Sequence, residues 1–276
     1  MMNIYVPSYQ RTSAKELQQG PLTRLPPSVH GCTWLVVREE EGEKYRAALD
    51  AAGLSWVQVH AVPIKGIAMT RHACGIHAQS MGVDKFMQID DDVDFLVRRA
   101  DDDWRLVAAD HESVDQMLLK IEELLIDHGS VGVSSREGNN RAGVGGPGDL
   151  VARDTRLMRV YGCRTREFLE MEHGRVVVMD DFEFHVQMLR AGHRNACLFY
   201  WANGQRMTGS PGGCTDYRTL QVHHDSAVRF SELHPGFVRL RQKKNKGGGL
   251  AERTEVSVYW KRAAEEGARR KAGEIQ

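Results

Sequence analysis

The sequence carries no excess charge of either sign: 37 Lys and Arg balance 37 Asp and Glu over 276 residues. No global field therefore steers the molecule toward nucleic acid, and a polyanion must meet a local patch. There is no CxxC pair, and the five cysteines (Cys32, Cys74, Cys163, Cys197 and Cys214) are odd in number and dispersed. That argues against a zinc ribbon or a secreted disulfide framework and predicts free thiols in a reducing compartment. No run approaches the roughly 20 apolar residues that cross a bilayer. The opening MMNIYVPSYQRT is too short in its apolar run, and too polar after it, for a signal peptide. A soluble, cytoplasmic protein without a membrane partner is expected. No internal repeat is present. What remains is an ordinary globular composition, 41% hydrophobic and 27% charged. The length allows one large α/β domain or two small ones, and one is expected.

The apolar pattern alternates between short runs and helical stretches. Residues 3–6 and 32–37 read as buried strands, the first stopped by Pro7. The acidic and Ala-rich stretch 39–52 reads as a helix closed by Gly53, and 56–62 returns as a strand, which makes a βαβ unit. Residues 70–81 have helical spacing up to Gly82, and 85–89 form a short strand that runs into Asp90, Asp91 and Asp92. Residues 115–127 show an apolar face of period 3.6, and 131–134 follow as a strand. Phe182, Val186 and Leu189 recur at helical spacing before Gly192, and 255–260 alternate like a strand. Beyond it a frayed helical tail is expected. Three Gly-rich stretches, 136–148, 204–213 and 247–249, read as loops, the first long enough to act as a lid.

Three aspartates in a row repel one another unless a cation, a helix terminus or basic side chains offset them. Asp90 and Asp92 lie two apart, so in extended chain they share a face and can converge on one ion. Hard oxygen ligands with no adjacent Cys point to Mg2+ or Mn2+, which complete their shell with water and diphosphate oxygens. A solvated acidic turn is the alternative, and Asp101, Asp102 and Asp103, which no strand leads into, read that way. The strand entering the first triplet separates the two, because open α/β sheets bind ligands beyond the carboxyl ends of their strands.

Asp180 and Asp181 precede a helix. An N-cap pair is one reading, a general base the other, and both hold if Asp180 caps while Asp181 takes a proton. His223 and His224 are structural, or one imidazole joins the same ion. Arg71 is a partner for a diphosphate or a cap on a neighbouring helix end. Gly143, Gly145 and Gly146 lack the Lys-Ser/Thr of a phosphate-binding loop. Arg239, Arg241, Lys243, Lys244 and Lys246 form the one concentrated basic run, with Tyr259 and Trp260 not far along the chain. That run is a phosphate-backbone patch, with Arg241, Lys243 and Lys244 as its contacts, or a solvated loop.

Four segments together resemble a known pattern: VPSYQR, GIAMTRHACGIHAQSMGVDKFMQIDDDVDF, RLMRVYGCRTREFLEMEHGRVVVMDDFEFHVQMLRAG and QVHHDSA. The first two look like the donor-binding half of GT-A glycosyltransferases. The third, with HPGFVRLRQKKNK and EVSVYWKRA, resembles the TET/JBP-associated glycosyltransferases of phages and eukaryotes. The resemblance implies one GT-A-type α/β domain over 1–262, with a Rossmann-like, mixed, mainly parallel central sheet flanked by helices. Its donor nucleotide-binding half would be 1–95 and its acceptor-side half 96–262, with 263–276 as a C-terminal tail. It implies Mn2+ or Mg2+ on Asp90, Asp92 and His223, with His224 the other choice of imidazole. Pro7, Tyr9, Arg11, Arg71, Asp90 and Asp91 would contact a nucleotide-sugar such as a UDP-sugar, Asp91 otherwise being a bystander. Asp181 would be the base, and Asp180 would stand on the acceptor side, where Glu is the commoner form. The implied acceptor is DNA carrying a 5-hydroxymethylated pyrimidine, in a phage protein acting in the host cytoplasm. Asn139, Asn140 and Arg141 of the first Gly-rich loop are then candidates for acceptor contact. Two rivals stand: a GT-A enzyme with a glycan, lipid or protein acceptor, and a catalytically silent DNA-binding or scaffold protein. The sugar, the nucleotide and the choice between hydroxymethylcytosine and hydroxymethyluracil stay open.

Overall fold

Strand β1 (Asn3–Pro7) is buried along its whole length and pairs in parallel on both sides. This explains its unbroken apolar run, since a strand covered on both faces has no solvent side to make polar. The computed structural model describes residues 2–99, 104–138, 150–205, 218–244 and 252–275. After β1 come α1 (Ala14–Gln19), β2 (Thr33–Arg38), α2 (Gly42–Ala52), β3 (Gln58–Val62), α3 (Ile67–Ser80) and β4 (Lys85–Ile89). The strands and the helices α2 and α3 fall where they were expected, while α1, capped by Ser13, was not expected. Gly53 closes α2 with φ of 73°, in the left-handed region where glycine costs least.

β5 (Val93–Arg99), β6 (Arg105–Ala108), α4 (His111–Leu124) and β7 (Ser130–Ser135) follow. α4 begins four residues before the expected 115, because the Asp110 side chain accepts from the Ser113 amide at 2.9 Å and caps it there. Next are β8 (Val151–Arg153), β9 (Val160–Arg164), α5 (Thr165–Leu169), α6 (Asp180–Arg190) and β10 (Asn195–Gln205). The chain ends with α7 (Leu220–Leu233), β11 (Val238–Lys244), β12 (Glu252–Val258) and α8 (Trp260–Lys271).

The expected α/β architecture is a ten-stranded sheet in the order β3-β2-β1-β4-β9-β7-β10-β5-β6, with β8 also on β10. Strands β5, β8 and β9 run against the other seven. Alternation along the strands divides the core in two. Ile4, Val6, Leu35, Val37, Met87 and Ile89 face one layer, closed by Tyr45 and Leu49 of α2 and Met117 and Ile121 of α4. Tyr5, Val36 and Phe86 face the other, closed by Ala73 and Cys74 of α3 and Phe184 and Met188 of α6. A third cluster joins the far side of α6 to α7, α8 and the separate β11-β12 hairpin.

The tail is no frayed appendage. α8 runs through the boundary drawn at 262 and lies so close to α6 that a Cβ at Gly267 would stand 1.9 Å from the Leu189 carbonyl oxygen. The described part of the basic run, residues 239–244, is a strand and not a loop: β11 is held by its register with β12. The four described cysteines are free. Among the described residues no helix is long and apolar enough to cross a membrane. Asp101–Asp103, Asn139, Asn140, Arg141, Gly143, Gly145, Gly146, Cys214, Lys246 and the glycines at 247–249 lie outside the described residues, as does the side chain of Lys244.

Candidate active site

The aspartate triplet occupies the link between β4 and β5, two strands that β9, β7 and β10 separate in the sheet. The chain leaves one half of the sheet for the other at this point, the kind of crevice where α/β sheets place ligands. The triplet is tied to the end of β1 across some 80 residues of sequence. Ser8 donates to Asp91 Oδ2 at 2.5 Å. The Arg11 guanidinium is bonded to Asp91 and also reaches Asp92 Oδ2 at 3.3 Å. Tyr45 of α2 fixes this loop by bonding the Ser8 hydroxyl at 2.8 Å and accepting from the Arg11 amide at 3.1 Å. Asp91 is therefore no bystander: it is the anchor that holds the β1 loop to the triplet. Burial is the largest influence on its carboxyl and pushes the pKa up to about 7 against the pull of Arg11.

Arg71 of α3 joins the triplet to α6. Its guanidinium, only 7% exposed, donates to Asp90 Oδ1 at 2.6 Å and to Asp180 Oδ2 at 2.5 Å. Arg71 thus caps no helix end, and Asp180 is no N-cap. The cap position belongs to Met179, in the left-handed region at φ 67° and without a side-chain cap bond, while Asp180 and Asp181 lie inside the first turn. There they still complement the helix dipole. Behind Arg71 a buried chain fixes the backbone: Tyr161 donates to Gln88 at 2.8 Å, and Gln88 donates to the Arg71 carbonyl at 3.0 Å.

Among the described residues no cation pairs directly with Asp181. Its Oδ1 accepts from the Phe182 amide at 2.9 Å, and its carbonyl bonds His185 Nδ1 at 2.7 Å. Burial first, then the charge of Asp180, pushes its pKa up to about 7, with Arg71 pulling the other way. Asp180 is neutralised directly by Arg71 and Asp181 is not, so the adjacent carboxylates differ in chemistry.

One cleft of about 770 Å3 is lined by Ser8, Arg11, Arg71, the aspartate triplet, Asp180 and Asp181. Pro7, Tyr9, Arg11, Arg71 and Asp90–Asp92 line its sheet side, Asp180 and Asp181 lie along α6, and His223, Arg241 and Lys243 line its hairpin side. The Tyr9 ring is covered by Arg38, whose guanidinium carbon stands 3.5 Å from the ring centroid. Both histidines of α7 bond Thr254 of β12, His223 Nδ1 to the carbonyl and His224 Nδ1 to the hydroxyl, each at 2.9 Å. His223 lines the cleft. Burial holds its pKa below the usual value, which favours the neutral ring, and with Nδ1 committed to a carbonyl its Nε2 is the nitrogen with a free lone pair. On the hairpin, Arg241, Lys243 and Arg253 share a single carboxylate, Glu255, at 2.9, 3.6 and 2.5 Å. Burial alone would raise Glu255, yet its pKa is lowered by these three cations together. The surplus positive charge faces the cleft.

Among the described residues no three His, Cys, Asp or Glu side chains are gathered into a ready metal site. The charge balance nonetheless suits a divalent cation. Asp90, Asp91, Asp92, Asp180 and Asp181 are five carboxylates, and among the described residues direct ion pairs reach them from Arg11 and Arg71 only. Burial is the first cause of the raised pKa values of Asp90, Asp91 and Asp181, and the neighbouring carboxylates add to it against the pull of Arg11 and Arg71. The carboxylate oxygens are also the right donors for Mg2+ or Mn2+.

Arg38, Arg156, Arg159, Arg218 and Arg253 in the cleft, and the Tyr161–Gln88 chain behind it, were not singled out by sequence reasoning. No local pattern marks them.

Comparison with known proteins assigns the chain. A family model of TET-associated glycosyltransferases matches residues 2–213. A mycobacterial protein of known structure shares the fold with a TM-score of 0.51 at 11% identity, over 94% of this chain and 84% of its own. Weaker likenesses include S. aureus TarS in complex with UDP-GlcNAc (TM-score 0.45, 13% identity, 83% of this chain) and GalNAc-T7 with UDP, GalNAc and Mn2+ (0.49, 11%, 84%). The chain spans 66% and 48% of the lengths of those two structures. No curated protein gives a significant match. With most of its length matched by the family model, the chain belongs to the TET-associated glycosyltransferase family.

Proposed function

We propose that this glycosyltransferase moves a sugar from a UDP-sugar to the hydroxymethyl group of a 5-hydroxymethylated pyrimidine in DNA, 5-hydroxymethylcytosine in the first instance. The observation that carries the reading is the single cleft that joins the strand-end aspartates to Asp181 and to a basic hairpin. Pro7, Tyr9 and Arg11 bind the nucleotide, with Arg71 on the diphosphate side. Asp90, Asp92 and the Nε2 of His223 hold Mn2+ or Mg2+. When bound, such a cation offsets charge on a leaving diphosphate. Asp181 takes the proton from the acceptor hydroxyl as the sugar carbon is attacked, which makes the reaction inverting. Asp180, held by Arg71, flanks the acceptor.

Incubation with UDP-sugars and DNA containing 5-hydroxymethylcytosine or 5-hydroxymethyluracil, read by nucleoside mass, tests this. A hexose or pentose mass gain is expected, lost with EDTA and with Asp92→Ala. UDP-sugar hydrolysis without mass gain on any modified DNA removes the DNA acceptor and leaves the donor chemistry. Absence of hydrolysis as well removes both.

The hairpin cations give a second expectation. In this reading Arg241 and Lys243 contact the DNA backbone, so log affinity falls linearly with log salt concentration. Replacing both by alanine should flatten that slope by about 2, one unit per lost phosphate contact. A filter-binding salt titration reads it, and an unchanged slope returns these residues to neutralising Glu255.

A further inference from the structure

Beside Asp181 the cleft has an aromatic wall that the reaction as described does not use. Phe182, the next residue of α6, and Trp260, the first of α8, both line it. Their rings meet edge to face, with centroids 5.9 Å apart at 83°. Each is only partly buried, its back against the third hydrophobic cluster and the rest open to the cleft. Arg156 lies over Phe182 with its guanidinium carbon 5.6 Å from the centroid, so cation and ring act together there. On the neighbouring hairpin stand Arg241, Lys243 and Arg253, and Arg218 lies just ahead of α7; all four cations line the same cleft.

Aromatic rings flanked by surplus cations are how proteins hold a nucleobase out of its stack, because every base has a π-face and every nucleotide a phosphate. The volume adds a constraint. About 770 Å3 lies within the size range of small-ligand pockets, enough for a nucleotide-sugar and one base but not for an intact duplex. We infer that Phe182 and Trp260 form the platform on which a single acceptor base stacks, unpaired from its partner strand, with its phosphates on the hairpin cations. The inference rests on the proposed DNA acceptor and adds how that acceptor is held. The packing of the two rings against the third cluster accounts for their rear faces and leaves the open faces to the base.

The test uses Phe182→Leu and Trp260→Leu, which keep apolar volume against the cluster and remove the π-face. Steady-state kinetics on hydroxymethylated oligonucleotides should show acceptor KM raised about tenfold in each variant, as expected for one lost base stack. Donor KM and UDP-sugar hydrolysis should stay as in the unsubstituted enzyme. Because unpairing is the cost that a mismatch removes, the unsubstituted enzyme should also prefer hydroxymethylcytosine in single strands or opposite adenine over the matched duplex, by about tenfold or more. Unchanged acceptor KM in a folded Trp260→Leu protein overturns the platform. So does a rise confined to donor KM, which would put the pair in the donor site, and so does equal use of matched duplex and single strand. If the unsubstituted enzyme modifies no DNA, the platform falls together with the acceptor reading; if it modifies DNA and the variants behave as it does, only the platform falls.

Discussion

Asp181→Asn should reduce sugar transfer by about a thousandfold while leaving UDP-sugar affinity unchanged, within the range of 10²–10⁴ that a positioned general base contributes. The amide keeps the shape of the carboxylate and can still accept from the Phe182 amide, as Asp181 does at 2.9 Å. What it loses is basicity. The pKa of Asp181, pushed up to about 7 by burial and by Asp180, matches that task better than the ordinary carboxylate value, because it combines ionisation near neutrality with real affinity for a proton. The pH profile follows with a definite sign. Below the pKa the group is protonated and cannot accept, so kcat/KM should climb as pH rises through about 7 and then level. In the asparagine variant that rising limb should vanish. Persistence of the limb would assign it to another group, and transfer at full rate would end the role of Asp181.

The parts of the fold that were legible in the sequence share one physical property: their signal is local. β1 and β4 are short, mainly apolar runs bounded by Pro7 and Asp90, and α2 ends at a glycine that takes positive φ. β10 was missed for the opposite reason. Its sequence NACLFYWANGQ mixes apolar residues with Asn and Gly, and it becomes a strand by pairing with β5, β7 and β8, with a bulge between Leu198 and Ala202. β11 reads as a charged loop until β12 is laid beside it. The site divides in the same way. Asp90–Asp92 and Asp181 were visible because a strand or a helix leads into or out of them. Their electrostatic partners were not, since Arg11 meets Asp91 across 80 residues and Arg71 meets Asp180 across 109. Arg71 was named from the sequence, but with the wrong structural alternative, because no local pattern announces that one guanidinium will span two carboxylates on different elements. Resemblance supplied Tyr9 and Arg11, which composition and periodicity do not distinguish from other loop residues.

Arg71→Met should destabilise the protein by about 3–5 kcal/mol, the usual consequence of removing one partner from a buried ion pair. At about 2–4 °C per kcal/mol for a chain of this size, Tm should fall by roughly 10 °C, read by calorimetry. The cost arises from what is left behind. Without Arg71, Asp90 and Asp180 lose partners at 2.6 and 2.5 Å, and Asp181 loses the cation that opposes its upward shift. The pH dependence separates this from a simple packing defect. Carboxyl groups whose folded pKa lies above the unfolded value stabilise the fold below the unfolded pKa, and that contribution is lost as pH rises through the folded one. For Asp181 the folded value is already about 7 and should rise further in the variant, so the loss in Tm should be small near pH 5 and large near pH 8. Adding Asp180→Asn to Arg71→Met should recover part of the stability at pH 8, since one orphaned charge is gone. Arg71→Lys should not restore the bridge, because a single ammonium lacks the planar fork that reaches both carboxylates. It should retain most of the Tm yet lose transfer, as Asp90 and Asp180 are no longer held to one another. A Tm loss in Arg71→Met that is the same at pH 5 and pH 8 would show that Arg71 stabilises by filling space, and the electrostatic bridge between the two halves of the site would have to be abandoned.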